Sequence, residues 1–266
     1  MRRIALFSDI HANLHALGAV LGDIEASHVS ERYCLGDLIG YGPDPAGVIE
    51  RVRREGVPTI AGNYDLGVAS RAGSCGCYYA TEQARVDGGR SYDFTDMRLS
   101  QPDAQWLLAL PARIELEHEG ARVLLTHGSP RKNNEYLLLD RAESQLARLA
   151  RDAGADLVCH GHIHVPYHRS FPDPEEPART VHYVSSGSVG KPKDGDPRAC
   201  WVELLLGAAE EIEAAAPDDP ARGPVGCTAV HAALRSHRVA YDIEAVAAAM
   251  NERGLPETLI EALRNA

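Results

Sequence analysis

The sequence predicts an α/β protein whose strand ends converge on one site, and three observations lead there. Near the N-terminus three strand patterns, Ile4 to Phe7, Arg32 to Leu35 and Val57 to Ala61, alternate with helical ones. Each strand pattern runs into a polar cluster: Ser8-Asp9-Ile10-His11, then Gly36-Asp37-Leu38-Ile39-Gly40, then Gly62-Asn63-Tyr64-Asp65. Further on, the apolar run Ala155 to Cys159 delivers three histidines at alternating positions, His160, His162 and His164. Open α/β sheets bind their ligands beyond the carboxyl ends of the strands.

Each element has a local reason. Leu14, Leu17, Val20, Leu21 and Ile24 are spaced for one buried helix face, and Val48, Ile49 and Val52 for another behind Pro43 and Pro45. From about 66 to 111 the pattern loosens into short helical pieces with several glycines, including a helix opened by Ser100 with Asp103 three residues on. This stretch reads as a helical insert, either a lid at the site entrance or a packing appendage. Arg113 to Glu119 and Ala121 to Thr126 read as a hairpin whose second strand ends in Thr126-His127-Gly128. Asp140 is the candidate cap of a helix over Arg141 to Asp152 that Gly154 closes. Arg179 to Val184, Arg198 to Leu206 and Thr228 to Tyr241 are strand candidates. Asp242 caps a helix over Ile243 to Arg253, and Pro256 opens a last one. The apolar faces of these two either dock on the sheet domain or meet a second copy of the chain.

Composition narrows the function. The 266 residues suffice for one large domain with an appendage, and a formal net charge of −11 disfavours an extended nucleic-acid or anionic-membrane surface. Six cysteines show no secreted disulfide framework and read mainly as reduced core residues, with Cys75-Gly76-Cys77 as a loop pair open to a metal or redox role. After Met1-Arg2-Arg3 only four apolar residues precede Ser8, too few for a signal peptide, so a cytoplasmic protein is expected.

The strand-end donors are Asp9, His11, Asp37, Asn63, His127, His162 and His164. Imidazole, carboxylate and amide donors without thiolates suit two divalent transition ions, manganese first, with iron and zinc as alternatives. Asp37 has two oxygens with which to bridge them. Two such ions about 3.5–4 Å apart hold a hydroxide and clamp phosphate oxygens during an in-line displacement.

Asp9-x-His11, Gly36-Asp37-x-x-Gly40, Gly62-Asn63, His127-Gly128 and Gly161-His162-x-His164 resemble the five blocks of the calcineurin-like metallophosphoesterases, in the family's order. The resemblance spans Arg3 to Gly190, and the closing strand and helices are similar to the bacterial branch of predicted phosphodiesterases and diadenosine-tetraphosphatase-like proteins. It implies a four-layer αββα sandwich of two mixed sheets over residues 1–241, with 242–266 as a helical extension packed on it. It implies that Asp9, His11 and His164 hold a first metal and Asn63, His127 and His162 a second, with Asp37 bridging. His160 has no counterpart among the family's ligands and reads as a supporting residue. No ligand role is expected for His118, His168, His182, His231 or His237.

The chain departs from the family at Tyr64, where many members carry a histidine that assists the leaving group. A phenol with a reference pKa near 10 is a poor general acid at pH 7, and such a group is worth roughly 10²–10⁴ in rate. Asp37, Asn63 and Tyr64 are therefore the expected catalytic residues, acting on phosphodiesters or phosphoanhydrides rather than alkyl monoesters. Tyr64 could instead stack on a base or pack in the wall. Arg131 and Lys132, or Lys191 and Lys193, are the candidate phosphate contacts, and the expected substrate is a small phosphorylated molecule such as a nucleotide. The alternatives are a serine/threonine phosphoprotein or general monoester phosphatase, which Tyr64 disfavours, and an inactive scaffold of the same fold, which the full set of ligand types disfavours.

Overall fold

The structure, a computed structural model, describes residues 1–265. Among them the strands form two five-stranded mixed sheets. In the first, β1 (Arg2–Phe7) pairs in parallel with β2 (Glu31–Cys34) and antiparallel with β8 (Ala199–Gly207). Beyond β8 lie β10 (His231–Val239) and the short β9 (Gly223–Pro224). In the second sheet the hairpin β3 (Arg113–His118) and β4 (Ala121–Thr126) continues in parallel through β5 (Leu157–His160) to β7 (Thr180–Ser186). The antiparallel β6 (Pro166–Pro172) forms its far edge.

Alternation along the strands builds the layers. Ile4 and Leu6 of β1 meet Val202 and Leu204 of β8, and Val123, Leu125, Leu157, Cys159 and Val184 of the other sheet, in the core between the sheets. Ala5 and Phe7 point the opposite way, onto Leu17, Val20 and Ile24 of α1 (Leu14–Ala26) and Val48 and Val52 of α2 (Pro45–Arg54). Leu124, Val158 and Tyr183 face Leu146 and Leu149 of α6 (Glu143–Asp152). The result is helix, sheet, sheet, helix, the four-layer sandwich expected.

In chain order α3 (Asn63–Ala69), α4 (Glu82–Asp96) and α5 (Gln101–Leu108) follow, joining the α1 and α2 cluster through Tyr64, Val68, Tyr92 and Leu107, and α7 (Ala209–Ala215) covers Leu205 and Ala233. The last two helices, α8 (Ile243–Glu252) and α9 (Glu257–Arg264), dock on Phe94 of α4 through Val246, Met250, Ile260 and Leu263. Among the described residues no helix is long and apolar enough to cross a membrane.

Several local expectations change. Val57 to Ala61 is no full strand: it makes one parallel bridge, Thr59 with Cys34, because Pro58 has no N–H for a ladder. Helix α6 starts at Glu143 without a side-chain cap. Asp140 is displaced because Arg141 reaches the Glu135 carboxylate and the Tyr136 carbonyl, and its own carbonyl accepts from Arg169. The strand β6 went unanticipated because a proline stands at each end, which an edge position tolerates. Ser100 and Asp242 do cap α5 and α8, accepting from the N–H of Asp103 and of Ala245.

Strand β8 is buried along its whole length, and Leu204 sits at the centre of the inter-sheet core. Leu204→Ala should lower stability by about 2–5 kcal/mol, the range for a truncated core leucine. A urea midpoint unchanged from wild type would contradict that placement.

Candidate metal centre

Parallel pairing of β1 with β2, and of β4 with β5 and β7, sends the loops that follow them to one edge of the sandwich. Asp9 and His11 follow β1, Asp37 follows β2, His127 follows β4, and His162 and His164 follow β5. Asn63 opens α3. The loops are stitched together by backbone bonds: Asp9 N–H donates to Gly36 O (2.9 Å), His11 N–H to Asp37 O (3.0 Å) and Gly161 N–H to His127 O (2.9 Å). The loop after β7 joins them, with Gly190 N–H on Asp9 O (3.0 Å).

The seven side chains are brought together in two groups. Asp9, His11 and His164 place one donor atom each within 4.8 Å of one another, and so do Asp37, His127 and His162. Asp37 Oδ2 lies 3.4 Å from His127 Nε2 and 3.8 Å from His11 Nε2, and thus faces both groups. Asn63 Oδ1 is 2.9 Å from His127 Nε2. All seven are buried.

The donor set fits divalent cations on its own chemistry. Nδ1 of His11, His127 and His164 donates to the carbonyls of Ile39 (3.1 Å), Leu35 (2.7 Å) and Lys191 (2.5 Å). In the neutral ring this leaves Nε2 as a bare lone pair. The Nε2 atoms of His11 and His164 then face each other at 3.2 Å, and that of His164 lies 3.1 Å from Asp9 Oδ1. Asp9 Oδ1 and His162 Nε2 are buried with no hydrogen-bond partner among the described residues. Lone pairs this close in a dry site repel unless positive charge sits among them.

Electrostatics agree. Burial pushes His11 and His162 down to about 3, so both rings are neutral at pH 7. At His127 burial acts the same way, but the Asp37 carboxylate outweighs it and raises the imidazole to about 9. Burial likewise opposes ionisation of Asp9 and Asp37, yet His164 beside the first and His127 beside the second hold both carboxyls below the usual range.

The backbone carries a cost for this convergence. Asp9, His11, Asp37, His162 and His164 all have positive φ, between 48° and 68°, a region that costs non-glycine residues about 1–3 kcal/mol each. The turns after β5 are made by His162 and His164, not by Gly161, whose φ is not positive. Gly161 is needed for close approach instead: a Cβ there would lie 2.6 Å from Asp9 Oδ2 and collide with Ser8 Oγ.

Other expected residues fall into place or out of it. Tyr64 is fully buried, its ring tilted on Tyr41 (4.9 Å) and edge-on to His11 (5.7 Å), its hydroxyl 3.4 Å from Ser91 Oγ. Stacking on a substrate base is therefore closed to it. Lys191 and Lys193 line the cavity at the centre, whereas Arg131 is exposed, paired with Glu135 and off that lining. His160 is buried, bound to the Tyr167 hydroxyl (2.8 Å) and away from both groups. His168 and His182 form a buried chain with Asp219. Cys75 and Cys77, the pair left open to a metal or redox role, are joined in a disulfide while the other four cysteines are free, and Asn63 Nδ2 donates to Cys75 O (2.9 Å) and Cys77 Sγ (3.2 Å).

Sequence reasoning missed Asp65. Its carboxylate accepts from the N–H groups of Asp37 (2.9 Å), Leu38 (2.9 Å), Ile39 (3.4 Å) and Gly62 (2.8 Å). An acidic residue at the third position of α3 was the available signal.

Comparison with known proteins gives a consistent result. The family description "Calcineurin-like phosphoesterase superfamily domain" matches residues 1–205. An uncharacterised protein of Methanocaldococcus jannaschii is 30% identical over 212 residues, 74% of this chain and 80% of that protein. The crystal structure of a metallophosphoesterase from Sphaerobacter thermophilus is similar at TM-score 0.69 and 30% identity, over 99% of this chain and 98% of that one. A hypothetical protein of Pyrococcus horikoshii shares the fold at TM-score 0.73 and 18% identity, with the same coverage.

Because His127 is protonated at pH 7 without metal, loading Mn²⁺ should displace its proton. Calorimetry in buffers of different ionisation enthalpy should register release of about one proton per chain at pH 7, with affinity rising as the pH approaches 9. Binding without proton release would contradict the His127 assignment.

Proposed function

Because the chain belongs to the calcineurin-like phosphoesterase superfamily, we propose that it is a binuclear metal-dependent phosphoesterase acting on phosphodiester or phosphoanhydride bonds. The observation that carries this reading is the pair of buried donor groups facing a shared Asp37. Asp9, His11 and His164 would hold one divalent ion, Asn63, His127 and His162 the other, and Asp37 both, with manganese the first choice. Bound there, such ions supply Lewis acidity toward phosphate oxygens and bring the pKa of a coordinated water toward about 7, for in-line displacement.

The chain's own residues do the rest. The Nδ1 bonds to backbone carbonyls fix the rings of His11, His127 and His164, so that Nε2 of each points inward. Asn63 is oriented by the Cys75 carbonyl and Cys77 sulfur that hold its amide N–H₂, leaving Oδ1 toward the site. Tyr64 N–H donates to Asp37 Oδ1 (2.8 Å), which leaves Oδ2 for the site. The Tyr64 phenol itself is pushed above its usual pKa by burial and donates to Ser91 Oγ (3.4 Å), so it is no ready acid for a leaving oxygen. Its role in this reading is to position Asp37. Bonds whose leaving group departs as a stable anion are favoured, and alkyl monoesters such as phosphoserine are not.

In this reading residues 1–241 form the catalytic domain. The 66–111 insert contributes Cys77 to Thr81, Gln83, Ala84 and Asp87 to the cavity lining, and the C-terminal extension contributes Thr258, Leu259 and Ala262.

The test is turnover of bis-p-nitrophenyl phosphate, p-nitrophenyl phosphate, a dinucleoside polyphosphate and a phosphopeptide by the Mn²⁺-loaded protein. The diester and the polyphosphate should lead, with the phosphopeptide slower by roughly 10²-fold or more. Absence of turnover with metal bound would sink the enzyme reading, and a leading phosphopeptide would sink the leaving-group argument. Asp37→Ala should cost more than about 100-fold, the upper end for residues that only support a ligand.

A further inference from the structure

The cavity over the metal centre has a volume of about 400 Å³, within the range of about 300–1,000 Å³ typical of small-molecule sites. Its lining combines three features that the metal ligands do not explain. Lys191 and Lys193 both face it, and neither ammonium has a carboxylate within 4.0 Å or a hydrogen-bond partner among the described residues. Lys191 Nζ sits over the Tyr41 ring, 4.9 Å from its centroid. In a chain with a net charge of −11, carboxylate partners are abundant, so two unpaired cations beside one void leave room for an anion from outside.

Aromatic faces form the second feature. Tyr78, Tyr79 and Tyr136 line the same cavity; Tyr78 is 76% exposed, and Tyr136 lies against His162 at 4.2 Å between ring centroids. Such faces stack flat heteroaromatic rings without reading their identity. The third feature is Asp87, the carboxylate in the wall beyond the metal ligands, which Thr258 Oγ1 (2.6 Å) and Gln83 Nε2 (2.9 Å) already hold. A carboxylate on the lining repels phosphate and can accept hydrogen bonds from a sugar or base.

From this arrangement we propose that Lys191 and Lys193 form a second phosphate subsite and that the substrate is a nucleotide phosphoanhydride, with its terminal phosphate at the metal ligands. The next phosphate lies on the two lysines and the nucleoside on the tyrosine wall. The proposal rests on the phosphoesterase reading and sharpens its substrate class. In hydrolysis of a nucleoside diphosphate, water oxygen bonds to the terminal phosphorus. The bond from that phosphorus to the bridging oxygen breaks with its electron pair on the bridging oxygen, and the protons of water pass to the released phosphate and to solvent. The nucleoside monophosphate leaves as an anion whose last pKa is near 6, so it needs no proton from position 64. Its growing charge falls on Lys191 and Lys193, the electrostatic stabilisation that a leaving phosphate requires.

The test uses the Lys191→Gln/Lys193→Gln double variant, which keeps the Lys191 carbonyl that holds His164. With Mn²⁺ bound, the ratio of kcat/KM for ADP to kcat/KM for bis-p-nitrophenyl phosphate should fall at least about tenfold from wild type, as expected for loss of charge-assisted contacts to one phosphate. In parallel, calorimetric binding of α,β-methylene-ADP to the metal-free protein should weaken at least about tenfold in the variant, and wild-type binding should weaken with added salt. An unchanged ratio with unchanged affinity, or no wild-type binding of the analogue, overturns the subsite. If the wild-type protein binds the analogue through the lysines yet hydrolyses neither substrate with metal bound, the subsite stands and the phosphoesterase reading falls.

Discussion

The Asp65 carboxylate is the constraint on which the centre depends. Its two oxygens collect four backbone N–H groups, three from the loop after β2 and one from the turn into α3. Those donors would otherwise be buried without partners, each at a cost of about 1–3 kcal/mol. By satisfying them, Asp65 locks the loop that carries Asp37 to the turn that carries Asn63. Tyr64 completes the clamp through its own N–H on Asp37 Oδ1.

Around that clamp the chain crowds electron-rich donor atoms: the His127 imidazolium attracts Asp37, but the Nε2 atoms of His11 and His164 face each other at 3.2 Å and Asp9 Oδ1 has no hydrogen-bond partner among the described residues. Two carboxylates, four imidazoles and an amide lie in a dry pocket, and five of these residues are held at positive φ. Such an arrangement persists only where the surrounding structure over-determines it. Here the β1, β2, β4, β5 and β7 loops share backbone bonds, and the strands behind them are pinned by the core between the sheets. The strain and the charge crowding have one common explanation, a site shaped for cations. The Tyr64 phenol, wedged between Tyr41, His11 and Ser91, adds packing to this crowded wall and no further charge.

Much of this was legible in the sequence, because strand-end chemistry leaves dense local signals. Asp9-x-His11, Gly36-Asp37 and His162-x-His164 stand directly after apolar runs, and the four-layer sandwich follows from the family resemblance those blocks carry. What the sequence concealed depends on contacts distant along the chain. Asp65 drew no role because most of its partners are N–H groups of another loop. Nothing local shows that the missing Cβ of Gly161 makes room for the Asp9 carboxylate. Arg131 follows His127-Gly128 closely, yet Glu135, four residues on, captures it. The bonding of Cys75 to Cys77, and their hold on Asn63, required knowing that the insert folds back over α3.

The central claim is that one buried cluster binds two ions sharing Asp37. Anomalous diffraction at the manganese edge from Mn²⁺-loaded crystals tests it directly. The account predicts two peaks per chain, one among Asp9, His11 and His164 and one among Asn63, His127 and His162, each with Asp37 as a neighbour. A single peak, or two peaks of which only one touches Asp37, would contradict it.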